Sequence, residues 1–476
     1  MRSASIGAGT MRFRSVLAAG ILTRVALMPL TAHPFDVYVW HRLILGILEN
    51  PTAVTFFPPM LFYTLVPVAF IYEWSSSVLG ASPTPLESLP EILNPDPRYG
   101  IQYITDLSFN TLVKAPFLVA DILAAVTIFK LTEDLFRDRA KASWAAAVWF
   151  LNPYLILISA VWGMFDSLPA LFSVFSMWML LRRRLDLSAL AMAVAVGYKL
   201  YPAAFFLPTI LFVLNSGHSA SRKTALRYIL VFTASSFILF LPAISQSLSF
   251  SQGLFTGPPD PGAVGFGLTF WSVLLILPAN PDFVIAASNL TVTALLIGTY
   301  LQALRRSADS GSLGLAAFQL CSILSIFAGF RFVCEQFLVW ALPYMVVLAV
   351  AGKVKTKEYW SLSLIALAYS LIHGLNGIFF FLPTWPWLGG FLLSVTRIVR
   401  RTAAADSGYS YEPIFQPHLS PVTLTLAALG TVFTLIVAVI WKRLAFSRAP
   451  DTFQSLNCHT TEEEKSLDGY ANLHAS

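Results

Sequence analysis

The sequence predicts an all-α polytopic membrane protein, and three observations predict it. Of 476 residues, 56% are hydrophobic and only 12% are charged, where a water-soluble domain carries about 25% charge. Mean hydropathy is +0.69. Apolar runs begin near residues 13, 56, 108, 140, 165, 187, 202, 228, 266, 284, 313, 333, 358 and 421. Many of them approach the roughly 20 residues that cross a bilayer. They predict about 11–13 transmembrane helices, with re-entrant or interfacial helices in the outer loops. Residues 1–446 read as a single transmembrane unit, and the polar stretch 447–476, with Glu462 to Glu464, as a disordered cytoplasmic tail.

The first run, Phe13 to Ala32, contains Arg14 and Arg24 and lacks a small-residue cleavage site, so it reads as a retained first helix. The net charge of +6 is assigned to Lys and Arg at cytoplasmic helix ends, so the bilayer is the expected partner and nucleic acid is not. Cys321, Cys334 and Cys458 are odd in number and far apart, which fits neither a disulfide framework nor a metal spacing.

Basic clusters punctuate the runs: Arg12 and Arg14; Lys130 to Lys141; Arg182 to Arg184; Arg222 to Arg227; Arg305 and Arg306; Lys353 to Lys357; Lys442 to Arg448. Taking them as cytoplasmic fixes the outer loops at about 33–107, 160–166, 197–202, 246–283, 331–335 and 383–420. Parity then leaves no room for full spans at Phe56 to Trp74 or Gly267 to Pro278. Both read as re-entrant or outer-loop segments. Arg397, Arg400 and Arg401 break the scheme, since they fall in an outer loop.

Ionisable groups at membrane depth are costly and mark candidate sites. His33-Pro-Phe-Asp36-Val-Tyr38 follows the first helix, where partial desolvation can tune Asp36 as a general base. The alternative is a carboxylate that only caps the next helix. Pro58-Pro59 breaks the chain at a point that either lines a cavity or simply starts a helix. Asp166, in Trp162-Gly-Met-Phe-Asp-Ser167, is either a ligand in a tight outer turn or an N-cap. Gly197-Tyr-Lys199-Leu-Tyr201-Pro202 lies midway along a stretch, 187–215, whose two ends are both assigned to the cytoplasm. A hairpin of two short helices then carries Lys199 at its apex inside the membrane boundary. There it needs a charge partner, such as a lipid phosphate, unless it snorkels from a single Pro-broken helix. Arg331, four residues before Glu335 in the run that continues with Gln336, either meets phosphate or pairs with Glu335. Asn289-Leu-Thr291 matches a glycosylation sequon inside an apolar run and is discounted.

These segments, in this order, resemble the polytopic glycosyltransferases of the GT-C class. They look most like the GPI mannosyltransferase that adds the first mannose and its bacterial and archaeal polyprenyl-phosphate-mannose relatives. The likeness rests on Asp36, Phe57-Pro-Pro-Met-Leu-Phe62, Lys114-Ala-Pro-Phe-Leu-Val-Ala-Asp121, Leu151-Asn-Pro153, Trp162 to Ser167, Tyr198-Lys-Leu-Tyr-Pro202 and Glu335-Gln-Phe-Leu-Val-Trp340. It implies a non-cytoplasmic active site, a polyprenyl-phosphate sugar donor with dolichyl-phosphate mannose foremost, and a glycan or glycolipid acceptor.

Asp36 is then the expected catalytic base. Lys199, Tyr201 and Arg331 are expected at the donor phosphate, and His33, Tyr38, Asp166, Glu335 and Gln336 at substrate. Many such enzymes carry two acids one residue apart in the first outer loop. Here Phe35 and Tyr38 surround a single Asp36, so no cofactor is expected and a divalent metal is not supported. A lipid-linked sugar transporter and a non-catalytic membrane subunit are the rival readings. Transporters tend to duplicate a discontinuous helix in each half, and only 187–215 is strongly broken.

Overall fold

A computed structural model describes residues 13–52, 54, 58–79, 86–88, 102–215, 221–245, 266–275, 280–306, 311–373, 376–402 and 421–446. The expected tail at 447–476 lies outside the described residues, as does most of the 383–420 loop beyond 402.

The first helix, α1 (Phe13–Leu27), ends before a turn. The segment expected as the first outer loop then folds into α2 (Pro34–Glu49) and α3 (Met60–Leu79), followed by a small antiparallel pair, β1 (Leu86–Ser88) and β2 (Gln102–Ile104). The Pro58-Pro59 pair sits immediately before α3, where missing amide donors are tolerated. Beyond it come α4 (Leu107–Phe136), α5 (Arg139–Phe150), α6 (Pro153–Ile156) and a π-helix over Leu157–Trp162. Next are α7 (Ser167–Leu181), α8 (Leu185–Tyr198), a 3-10 turn (Tyr201–Phe205), α9 (Phe206–Leu214) and α10 (Ser221–Ser245).

The second half holds β3 (Phe266–Gly267), a 3-10 segment (Phe270–Leu275), α11 (Pro281–Arg306), α12 (Ser312–Gly329) and β4 (Phe332–Val333). A second 3-10 turn (Glu335–Trp340) leads into α13 (Leu342–Val350). The remainder is α14 (Thr356–Ile372), α15 (Asn376–Phe379), α16 (Trp385–Thr402) and α17 (Pro421–Phe446).

Among the described residues, five helices are long and apolar enough to cross a membrane: α4, α10, α11, α12 and α17. A sixth is formed if α5 and the segment Pro153–Trp162, bent by 45° to each other, are one broken span. Four shorter apolar segments, Ser167–Leu181, Leu185–Tyr198, Tyr201–Leu214 and Glu335–Val350, fill the interior. Full-length spans are thus fewer than the apolar runs, because several runs are broken where polar residues enter. The outer faces of α10 (Leu230, Phe237, Ile238) and α11 (Leu290, Ile297, Leu301) are exposed and apolar. Such faces match lipid, not water. Among the described residues, neither 58–74 nor 267–275 supplies a candidate span. Arg397 lies on α16, which also exposes Trp387, Phe391 and Ile398. An amphipathic helix of that kind accommodates Arg397, which the charge rule leaves in an outer loop.

Residues 187–215 reverse direction, as the charge pattern predicts. Asp186 at the start of α8 ion-pairs with Arg227 in the second turn of α10 (Nε to Oδ1, 2.9 Å). Phe206 at the top of α9 meets Phe232 of α10 with ring centroids 4.9 Å apart. So α8 and α10 start at one end of the bundle, and α9 runs back to that end. Lys199 closes α8 in an extended conformation (φ −152°, ψ 148°). The apex is fixed from the side by α3, where the Thr64 and Tyr198 hydroxyls lie 2.6 Å apart.

Opposite the hairpin, β3 pairs in parallel with β4. Gly267 has φ +87°, and a Cβ there would lie 2.0 Å from the Val333 carbonyl oxygen. This crossing ties the segment before α11 to the one carrying Glu335.

Candidate active site

The site is built around the turn after the π-helix. Widening the helix lets the Gly163 and Met164 amides both donate to Ile158 O, at 3.2 and 3.0 Å. Gly163 takes φ +91°, and a Cβ there would press on Lys114 Cε at 3.0 Å. Only glycine meets both demands at no steric cost. The turn presents Trp162 on one side and Asp166 on the other.

Trp162 receives the first outer loop. Its carbonyl accepts the His33 amide at 3.0 Å, its indole stacks on the His33 ring at 4.4 Å, and its Nε1 donates to Asp36 Oδ2 at 2.6 Å. His33 Nδ1 approaches the same oxygen at 2.9 Å. Trp40 Nε1, one turn further along α2, donates to Gly163 O at 2.9 Å. Asp36 therefore does not cap α2. The N-cap position is His33, and Asp36 lies in the first turn, where the helix dipole favours a carboxylate. Its Oδ2 is held by two donors, while Oδ1 accepts no hydrogen bond among the described residues. The side chain is 18% exposed. Tyr38 is half-buried on the same helix.

Asp166 stands at the N-cap position of α7 but has helical dihedrals (φ −60°, ψ −21°) and makes no capping bond. Its fully buried carboxylate instead accepts Lys199 Nζ at 2.7 Å and Trp340 Nε1 at 2.6 Å, both on Oδ1. Oδ2 is buried with no partner among the described residues. Lys199 thus finds its charge partner inside the protein. Its ammonium also lies over the rings of Phe165, Phe337 and Trp340, at 4.8, 4.9 and 5.2 Å. Each such cation–π contact is worth about 0.5–2 kcal/mol. Trp340 is sandwiched between Tyr201 (4.2 Å) and Phe337 (4.0 Å). Tyr201 accordingly presents its ring to the stack, with its hydroxyl buried near Ser173.

The two halves meet on one short turn: Trp162, which holds Asp36, and Asp166, which holds Lys199, are four residues apart. Glu335 does not pair with Arg331. Its carboxylate meets His373 Nδ1 of the segment after α14 at 2.6 Å, and its carbonyl accepts the Tyr154 hydroxyl. Arg331 is 7% exposed. Its amide donates to Ser288 of α11 at 2.8 Å, and its Nη1 is buried without a partner among the described residues. Gln336 is buried in the same 3-10 turn. Among the described residues no three His, Cys, Asp or Glu side chains cluster closely enough to hold a metal ion.

Sequence reasoning assigns no role to Trp162, Trp340, His373, Lys114 or Asp121. The two indoles lie inside quoted motifs, but only the folded chain aims their N–H groups at carboxylates. Lys114 and Asp121 carried a usable signal: two ionisable residues seven apart in an apolar helix lie on one face.

The fold defines an all-α polytopic membrane protein, and its interior holds this cluster of carboxylates, a lysine and indoles. Residues 57–256 match the family described as GPI transamidase subunit PIG-U. The chain is also similar to GPI mannosyltransferase 1 of Kluyveromyces lactis, 30% identical over 106 residues, which is 22% of this chain and 26% of that protein. The Saccharomyces cerevisiae protein of the same name is 25% identical over 117 residues, 25% of this chain and 28% of its own length. That of Gibberella zeae is 30% identical over 94 residues, 20% of this chain and 22% of its own. The chain spans about a quarter of the length of these curated relatives.

Proposed function

We propose that the chain is an integral membrane glycosyltransferase. It moves a sugar, mannose foremost, from a polyprenyl or dolichyl phosphate to a glycan or glycolipid acceptor. The membrane is that of the endoplasmic reticulum, or else the plasma membrane, with the site on the non-cytoplasmic face. The observation that carries this reading is Asp36: one oxygen is fixed by Trp162 and His33, the other accepts no hydrogen bond among the described residues, and the Trp162 that holds it is four residues from Asp166, the partner of Lys199.

In the proposed reaction the acceptor hydroxyl gives its proton to Asp36 Oδ1 as its oxygen attacks the anomeric carbon. The bond from that carbon to the phosphate oxygen breaks on the opposite face, and polyprenyl phosphate leaves with the electron pair. The single displacement inverts configuration. Lys199 and Arg331 stabilise the departing phosphate. Tyr201 serves by holding Trp340 against Lys199. His33 orients the base, while Tyr38, Asp166, Glu335 and Gln336 line the sugar and acceptor positions.

A second reading has its own support. The family match is to a transamidase subunit, and Lys199 is already neutralised by Asp166. In that reading the pocket holds a glycolipid without reacting. Purified full-length protein in lipid nanodiscs, given radiolabelled polyprenyl-phosphate mannose and a glycolipid acceptor, separates the two. Transfer that disappears in Asp36→Asn supports the enzyme. Glycolipid binding without transfer supports the subunit.

A further inference from the structure

The turn carrying the site is gripped by two buried charges on one face of α4. Lys114 and Asp121 lie seven residues apart, about two helical turns, and both are fully buried. Lys114 Nζ donates to the carbonyls of Met28 (3.0 Å), Thr31 and Val161 (3.3 Å). It thereby joins the end of α1, the segment leading to His33 and the π-helix just before Trp162. Asp121 Oδ2 accepts from Ser159 Oγ (2.6 Å) and Arg24 Nε (2.7 Å), and its Oδ1 accepts from Ser167 Oγ. Arg24 is buried in turn, donating to Phe150 O at 2.9 Å and lying over the Phe150 ring.

Asp121 therefore binds both flanks of the turn, at Ser159 and at Ser167, beside Asp166. Lys114 binds the same turn at Val161, beside Trp162, and binds Thr31, two residues before His33. A helix dedicated to lipid crossing gains nothing from a buried ammonium and a buried carboxylate, since each is costly to desolvate. Charge-assisted hydrogen bonds at several points do, however, fix a turn more tightly than apolar packing does.

We propose that Lys114 and Asp121 are positioning residues: a two-point clamp on α4 that sets the separation of Trp162 and Asp166. It thereby sets the distance between the Asp36 carboxylate, held by Trp162, and the Lys199 ammonium, held by Asp166. The catalytic consequence rests on the transfer reading above. The geometric consequence does not.

The test has two arms. In nanodiscs, Asp121→Asn and Lys114→Met lower turnover on the order of 100-fold, with donor KM within about threefold of wild type, because a misplaced base costs rate more than binding. Asp121→Glu restores part of the turnover. The milder pair Ser159→Ala and Ser167→Ala, which leaves every charge in place, lowers turnover in the same manner and covers the case in which Asp121→Asn does not fold.

The second arm reads geometry without activity. Spin labels at Phe35→Cys and Ala203→Cys, in a chain whose native cysteines are replaced by alanine, report a distance distribution. It broadens in the Ser159→Ala/Ser167→Ala chain and stays narrow in Ser322→Ala, a buried serine on α12. Unchanged width and unchanged turnover in the folded double serine variant would overturn the clamp. If wild-type protein transfers no sugar while the distribution still broadens, the clamp stands and the transferase reading falls.

Discussion

The same three groups meet at both ends of the bundle, and the two meetings differ in kind. At the rim, Asp134 near the end of α4 accepts Trp178 Nε1 and Arg182 Nε, each at 2.8 Å. At the opposite end, Asp166 accepts Trp340 Nε1 and Lys199 Nζ. The rim carboxylate is 31% exposed and its Arg 49%, whereas Asp166 is 0% and Lys199 16%. An exposed pair contributes little, about 0–1 kcal/mol, and is screened by salt. Breaking a buried pair costs about 3–5 kcal/mol, because a charge is left without compensation. The rim contacts, the Asp134 triad and the pairs of Glu358 with Arg443 and Asp186 with Arg227, mark which helix ends lie together. The buried triad bears a cost that architecture alone does not require, which is why the chemistry is sought there.

That contrast can be broken in graded steps. The largest effect is expected at Asp36→Asn, which should lower sugar transfer by about 10²–10⁴-fold without loss of the folded protein, the range supplied by a general base. Wild-type turnover in that variant would remove the base. Next, Asp166→Asn and Lys199→Met should each lower the denaturation midpoint and destabilise by about 3–5 kcal/mol, while the double variant should lose less than the sum. Additive losses would mean that the two groups are not coupled. Trp340→Phe keeps the aromatic stack and removes one donor to a charged acceptor, so a loss of about 1.5–3 kcal/mol is expected. Smallest is Asp134→Asn at the rim: stability within about 1 kcal/mol of wild type, with turnover unchanged. A large loss there would abolish the distinction between the two ends.

Much of the architecture was legible because membrane depth makes polarity conspicuous. Lys199 stood out at the apex of two half-length runs flanked by basic clusters, and the reversal between α8 and α9 follows from that pattern. Asp36 and Asp166 stood out as acids at outer helix ends. Their pairings were not legible. Glu335 lies four residues after Arg331, the spacing that joins side chains on a helix. The chain at Phe332–Val333 is extended instead, so the two groups separate and Glu335 turns to His373, on a segment distant in sequence. Asp166 occupies the N-cap position, yet its helical dihedrals take the carboxylate away from the amides that the capping alternative would have it bind. Trp162 and Trp340 lie inside the quoted motifs, but nothing in the sequence gives their N–H groups a partner. Only packing between elements 126 and 174 residues apart in sequence turns them into donors to Asp36 and Asp166.

The central claim is that Asp36 and the Lys199–Asp166 pair address one bound sugar. A structure of the full chain in nanodiscs with polyprenyl-phosphate mannose tests it most directly. The account predicts the phosphate beside Lys199, with the anomeric carbon facing the open oxygen of Asp36 across a gap that admits one acceptor hydroxyl. A donor seated elsewhere, with Asp36 directed away from its sugar, would contradict it.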